Sequence, residues 1–144
     1  GDGELDEGQI WEAAMAAAHY RLDGVTAIVD RNRQQIDGST EDVMRLEPLA
    51  DKWRAFGWQT LETNGHDMEA ILEALAAAAR VEGRPTVIIA HTIKGKGASL
   101  MEGNLHFHGN APTYEETQQC LREIQTEERC KVCDVRYPLP LRDR

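Results

Sequence analysis

Two short apolar runs, Val25–Asp30 and Pro85–His91, constrain the fold more than any other feature of this 144-residue chain. Neither alternates apolar with polar, so each reads as a strand covered on both faces, the condition of inner strands in a parallel sheet. Val25–Asp30 is expected to be central. A third, weaker strand, Trp58–Thr63, alternates. Helical patterns fall between them. Gln9–Arg21 carries Ile10, Trp11, Ala13, Ala14, Ala17 and Ala18 on a slim, alanine-rich scaffold. Pro48 opens a helix to Phe56 that Gly57 closes, and Asp67 caps Met68–Glu82, which stops at Gly83. Helix and strand alternate throughout, which specifies an α/β fold: a parallel sheet with flanking helices. Right-handed crossovers bring the strand C-termini to one edge, where ligands bind in such sheets.

The rest of the chain is polar. Arg31–Thr40 is expected to be a loop, with Ser39 or Thr40 capping a short turn that carries Glu41 and Asp42. Thr92–Pro112 holds Gly95, Gly97, Gly103 and Gly109 with Lys94 and Lys96, and a loop of that length usually has a function. Thr113–Thr126 is a polar helix. Residues 1–125 form the expected domain, and 126–144 a charged, weakly ordered tail with Pro138 and Pro140. Trp11, Trp53 and Trp58 are core or interface residues. The alanine helix packs either beneath the sheet or at a subunit interface.

Gly1-Asp2-Gly3 is answered, 28 residues after Gly3, by Asn32 just past a strand end. Glycines let the backbone turn sharply and let a ligand approach it. The helix that follows offers free N–H groups and a partial positive charge to an anion such as phosphate. Asp2 and Asn32 supply hard oxygen donors, which suit Mg2+ or Ca2+. A divalent cation clamped on a diphosphate is the simplest account. A net charge of -9 argues against nucleic acid or anionic membrane as the main partner. The apolar runs are too short to span a bilayer and no signal peptide opens the chain. Cys120, Cys130 and Cys133 make no even framework, so a cytoplasmic, reducing setting is the default. Cys130 and Cys133 lack the second pair that a structural zinc needs. With no initiator Met and no strand ahead of Gly1, the chain is expected to be a fragment, incomplete at its N-terminus.

Residues 1–14 (GDGELDEGQIWEAA), 29–38 (VDRNRQQIDG), 49–58 (LADKWRAFGW), 91–102 (HTIKGKGASLME) and 107–112 (FHGNAP) together resemble transketolase. The likeness is to the N-terminal, thiamine diphosphate-binding subunit of its split, two-polypeptide type, and covers about residues 1–125. The resemblance implies ketol transfer between sugar phosphates in the pentose phosphate pathway, with thiamine diphosphate and Mg2+ as cofactors and Ca2+ as an admissible substitute. It places Asp2, Asn32 and the Gln34 carbonyl on Mg2+, the Gly3 N–H on the diphosphate, and Ile36 against the thiazolium ring. Glu7 and Glu12 match glutamates buried at the family's dimer interface, and His108 matches a histidine near diphosphate and sugar. The implied partner is the C-terminal, pyrimidine-binding subunit, in a dimer of such pairs. That partner carries the carboxylate that activates the cofactor, so this chain alone is expected to be inactive. Arg31, Arg33 and Phe107 depart from the family pattern, and Arg33 in place of glycine makes a left-handed backbone unexpected there. A 2-oxoacid dehydrogenase E1 component, deoxyxylulose-phosphate synthase and a non-catalytic binding remnant remain rivals.

Overall fold

The computed structural model describes residues 1–126. The expected tail and the Cys130/Cys133 pair lie outside the described residues. A 3-10 turn, Asp2–Asp6, leads into α1 (Gly8–His19). Then come β1 (Thr26–Arg31), β2 (Gln34–Gln35), β3 (Gly38–Ser39), α2 (Thr40–Val43) and α3 (Leu49–Ala55). After them run β4 (Gln59–Asn64), α4 (Met68–Ala78), β5 (Thr86–His91), a second 3-10 turn (Leu105–His108) and α5 (Tyr114–Thr126). The expected caps are present: the Ser39 hydroxyl accepts from the Asp42 N–H at 3.2 Å, and Asp67 Oδ1 accepts from Glu69 and Ala70 at 3.0 and 3.1 Å. Among the described residues no helix is long and apolar enough to cross a membrane.

The sheet is parallel, in the order β1-β5-β4, with Arg31, His91 and Asn64 level at one edge. This corrects the expectation for Val25–Asp30. β1 is an edge strand among the described residues and its burial alternates: Val29 and Arg31 point inward, while Ile28 is 61% exposed. The covered strand is β5, whose Val87, Ile88 and Ile89 are all buried. It comes last in the chain and slots between the other two. The sequence pattern does not reveal that order, because both runs read as apolar strands. The hairpin β2–β3, inside the expected loop, is a second difference. α4 also ends at Ala78 rather than Glu82, because Arg80 and Val81 bond three residues back, to Ala77 and Ala78, and tighten the last turn.

One core face is built by α1, α3, β1 and β5. Ala14, Ala17, Val29, Trp53, Trp58, Val87 and Ile89 interlock there. Trp58 Nε1 donates to the Ala14 carbonyl at 2.9 Å, which is how the slim helix comes close to the sheet. Trp53 stands edge-on to Trp58, with ring centroids 4.9 Å apart. Trp11 is partly buried beside Trp53 and donates to the Leu5 carbonyl at 2.7 Å. The opposite face of α1, with Glu12, Ala13, Met15 and Ala16, is exposed.

Candidate functional site

The N-terminal turn, the end of β1 and the loop after β5 meet at the sheet's C-terminal edge around a cleft of about 490 Å³. Gly1, Gly3, Glu4, Asp6, Glu7, Asp30, Asn32, Gln34, Gln35, Ile36, Lys94 and His108 line it. A larger groove of about 790 Å³ lies at the start of β1 beside α4, but only Asp23 and Glu82 bring charge to it. The chemistry gathers at the first cleft.

Asp2 is wholly buried, in a turn whose two glycines line the cleft on either side of it. Its Oδ1 accepts the Gly3 N–H at 3.0 Å. Its Oδ2 accepts the Arg33 N–H at 2.7 Å and Arg31 Nη1 at 2.8 Å. Arg33 is left-handed after all, at φ +63. That turn aims its amide at a carboxylate, and a charge-assisted hydrogen bond of this kind offsets the roughly 1–3 kcal/mol of backbone strain. Asn32 Oδ1 accepts the Gln34 N–H at 2.9 Å, and its Nδ2 donates to Asp30 Oδ1 at 3.4 Å, so the amide is orientated from both ends. Thr92 also donates to Asp30 Oδ1.

The two halves of the motif touch at Gly3. An added Cβ there would stand 2.8 Å from Gln35 Cγ and 3.2 Å from Gln35 Cα. We expect Gly3→Ala to lower the unfolding free energy by about 1–3 kcal/mol, the usual cost of overpacking. Urea titration checks this, and an unchanged midpoint would mean that the turn does not pack on the hairpin.

The long loop is tied to the cleft through Gln34 and braced within itself by Glu102 and Gly95. Gln34 Nε2 donates to the Gly103 carbonyl at 2.7 Å, while its Oε1 is buried without a partner. Glu102 accepts from the Gly97 N–H at 3.0 Å and pairs with Lys96 at 3.2 Å, which together hold its carboxyl below the usual range. Gly95 sits at φ +71, where an added Cβ would meet the Met101 carbonyl at 2.6 Å. Lys96 is thus committed to the loop. Lys94 reaches the cleft, with its Nζ 3.1 Å from His108 Nδ1.

Asp2, Gly3, Asn32, Gln34, Ile36, Glu7 and His108 are therefore gathered at or directly beneath one cleft, and Ile36 presents an exposed apolar surface to it. Glu12 is not: it lies on the exposed face of α1. His66 accepts the Ile93 N–H at 2.7 Å, and His106 lies edge-on to Phe107. Residue typing overlooked Asp30 and Arg31. Arg31 shares the inward face of β1 with Val29, two residues before it, a facing that only the structure shows.

Arg31 is 2% exposed, and it donates from Nη1 to Asp2 and to Thr40 Oγ1 (2.7 Å), and from Nη2 to Glu47 (2.7 Å) and Glu41 (3.3 Å). Burial, the largest single influence, pushes its pKa down, but hydrogen bonds to Glu47 and Asp2 and their charges outweigh it and the net shift is up. Glu47 is held below its usual 4.5, first by Arg31 and then by the Leu49 N–H. Because the folded value is depressed, the stabilisation is complete above about 4.5 and is lost as pH falls through the folded value. Glu47 is half exposed, so the contribution is at most about 1 kcal/mol. Wild type should melt above Glu47→Gln at pH 7, with the gap closing on acidification; a constant gap would refute the pairing.

Asp2 Oδ1 and Asn32 Oδ1 each accept one hydrogen bond of the two an oxygen can take. Hard oxygens with acceptor capacity to spare are donors of the type that suits a small divalent cation. Residues 1–132 match the family model described as transketolase, thiamine diphosphate binding domain. The chain is 49% identical over 124 residues to one of the subunits of apulose-4-phosphate transketolase from Phocaeicola vulgatus, covering 86% of this chain and 44% of that one. It is 50% identical over 127 residues to 6-deoxy-6-sulfo-D-fructose transketolase subunit SqwG of Clostridium sp. (strain MSTE9), covering 88% and 46%. Its fold superposes on transketolase from Campylobacter jejuni with a TM-score of 0.79 and 32% identity, over 84% of this chain and 19% of that one. Leishmania mexicana transketolase gives a TM-score of 0.79 and 32% identity, over 85% and 18%. The chain spans less than half the length of these curated relatives.

Proposed function

Since the chain belongs to the transketolase family through its thiamine diphosphate-binding domain, we propose that it supplies the diphosphate and Mg2+ half of a split transketolase site. The domain is residues 1–125. The reaction is transfer of a two-carbon ketol unit from a ketose to an aldose. One relative's name carries a phosphate and the other's a sulfo group, so the substrate class proposed is a sugar with an anionic group, a sugar phosphate first. Two relatives are named as subunits, which supports a pyrimidine-binding partner chain and a dimer of such pairs.

The charge of the cleft carries the metal proposal. Glu4, Asp6, Glu7 and Asp30 line it, with Asp2 buried beneath, against Lys94 and His108. A diphosphate entering so acidic a cleft is repelled unless a cation lies between. Asp2, Asn32 and the Gln34 carbonyl would hold Mg2+, and Gly3 would offer its N–H to the diphosphate. Lys94 and His108 would face the anionic end, and Ile36 would support the apolar ring. When bound, thiamine diphosphate supplies the electron sink for the carbanion. This chain's residues bind, orientate and screen charge. Glu7 at the cleft is the better placed of the two glutamates for a proton-sharing role. Glu12 would need a partner surface over α1.

Isothermal titration of thiamine diphosphate into the chain is expected to give heat with MgCl2 and none with EDTA. Equal binding in both would overturn the metal reading; no binding in either would overturn the cofactor site.

A further inference from the structure

The turn between β4 and α4 docks where β5 passes into the long loop. Asn64 Oδ1 accepts the His66 N–H at 3.0 Å and shapes that turn. Gly65 donates its N–H to the His91 carbonyl at 2.8 Å. An added Cβ on Gly65 would collide with Thr92 Cγ2 and stand 3.1 Å from the His91 carbonyl oxygen, so the turn sits hard against the strand end. His66 Nε2 then accepts the Ile93 N–H at 2.7 Å, across 27 positions of chain. An amide N–H can only donate, so this contact requires Nε2 to be unprotonated. One residue further on, the Lys94 carbonyl accepts the Gly103 N–H at 2.9 Å, and Lys94 Nζ reaches the cleft beside His108. The backbone that delivers Lys94 is therefore held on one side by the loop and on the other by His66.

We infer that His66 is a positioning residue: its neutral imidazole fixes the entry of the long loop so that Lys94 reaches the cleft, and protonation of that imidazole releases the loop. That Lys94 meets a bound anion rests on the half-site proposed above; the hold on the loop does not. Acid turns the accepting nitrogen into a donor, and N–H then faces N–H. The charged groups around the ring do not oppose this. On the loop, Glu102 is held below its usual range first by the Gly97 N–H, then by Lys96, and in smaller part by the charge of His66. That carboxylate favours the charged ring, which no longer serves the amide. In the turn itself, Asp67 Oδ1 is taken up by the Glu69 and Ala70 N–H groups. At the strand ends, His91 Nε2 faces Glu62 at 3.0 Å.

The hold on the loop is read by amide hydrogen exchange at Ile93 in the purified chain, corrected for the intrinsic pH dependence of exchange. Between about pH 8 and pH 5, the span over which an imidazole charges, wild type is expected to lose protection roughly tenfold, the worth of one hydrogen bond. His66→Gln keeps an acceptor near the place of Nε2 that does not titrate, so its protection should stay level across that span. His66→Ala should match wild type at the acid end and fall roughly tenfold short of it at the alkaline end. His66 is exposed, so neither change disturbs the core. The consequence for Lys94 is read at the alkaline end as affinity for thiamine diphosphate with MgCl2. His66→Ala is expected to weaken it roughly threefold or more, with His66→Gln restoring it, and in a Lys94→Ala background the same change should cost nothing further. A merely structural role would instead add to the loss from Lys94→Ala. Equal protection of Ile93 in wild type and His66→Ala at the alkaline end, or additive losses in the double variant, overturns the inference. Absence of cofactor binding by the wild type overturns the half-site instead, and the exchange profile then decides the inference alone.

Discussion

Asp2→Ala is expected to abolish Mg2+-dependent binding of thiamine diphosphate while leaving the helical signal in far-UV circular dichroism nearly intact. Loss of an outer-shell partner alone costs roughly 10–100-fold in metal affinity, and Asp2 is a proposed ligand, so the loss should exceed about 100-fold. Stability should fall as well. Three donors, from Gly3, Arg31 and Arg33, lose their acceptor. Stranding a buried charge outright costs about 3–5 kcal/mol, but Arg31 keeps Glu47, Glu41 and Thr40. A loss of about 1–3 kcal/mol is therefore expected, the range for unsatisfied buried polar groups. Titration calorimetry beside a urea melt separates the two effects. Cofactor affinity within threefold of wild type would remove Asp2 from the site.

Trp58→Ala has the largest expected effect on the fold itself. The ring is 5% exposed and packs at the centre of the core face. Removing a buried aromatic costs about 3–5 kcal/mol. The edge-on pairing with Trp53 and the bond to the Ala14 carbonyl go with it. A domain of this size has only about 5–15 kcal/mol in hand, so a large unfolded population at 37 °C is expected, read by near-UV circular dichroism. A loss below about 1 kcal/mol would mean that α1 is not seated on the sheet through this residue.

α1 answers a question that the alanine pattern had left open. It buries Ala14 and Ala17 on the sheet and leaves Glu12 and Met15 outside, so it serves the core with one face and is free to meet a partner with the other. Arg33 shows the opposite case. Local sterics argue against a left-handed arginine, yet the carboxylate of Asp2 holds it there across 31 positions of chain. Arg31 was legible only as a departure from the family pattern, because its four acceptors come from three separate segments.

From the order of residues alone, the alternation of helix and strand, the caps at Ser39 and Asp67, and the glycine turn with its distant asparagine were all determined. These depend on neighbours within a few positions, or on an unmistakable spacing. Only the folded chain decided that β5 and not β1 is central, that a hairpin lies inside the polar loop, and that Arg31 binds Asp2. Each depends on which surfaces end up covered, and coverage is a property of the packed whole: two apolar runs differ in burial by what is placed beside them.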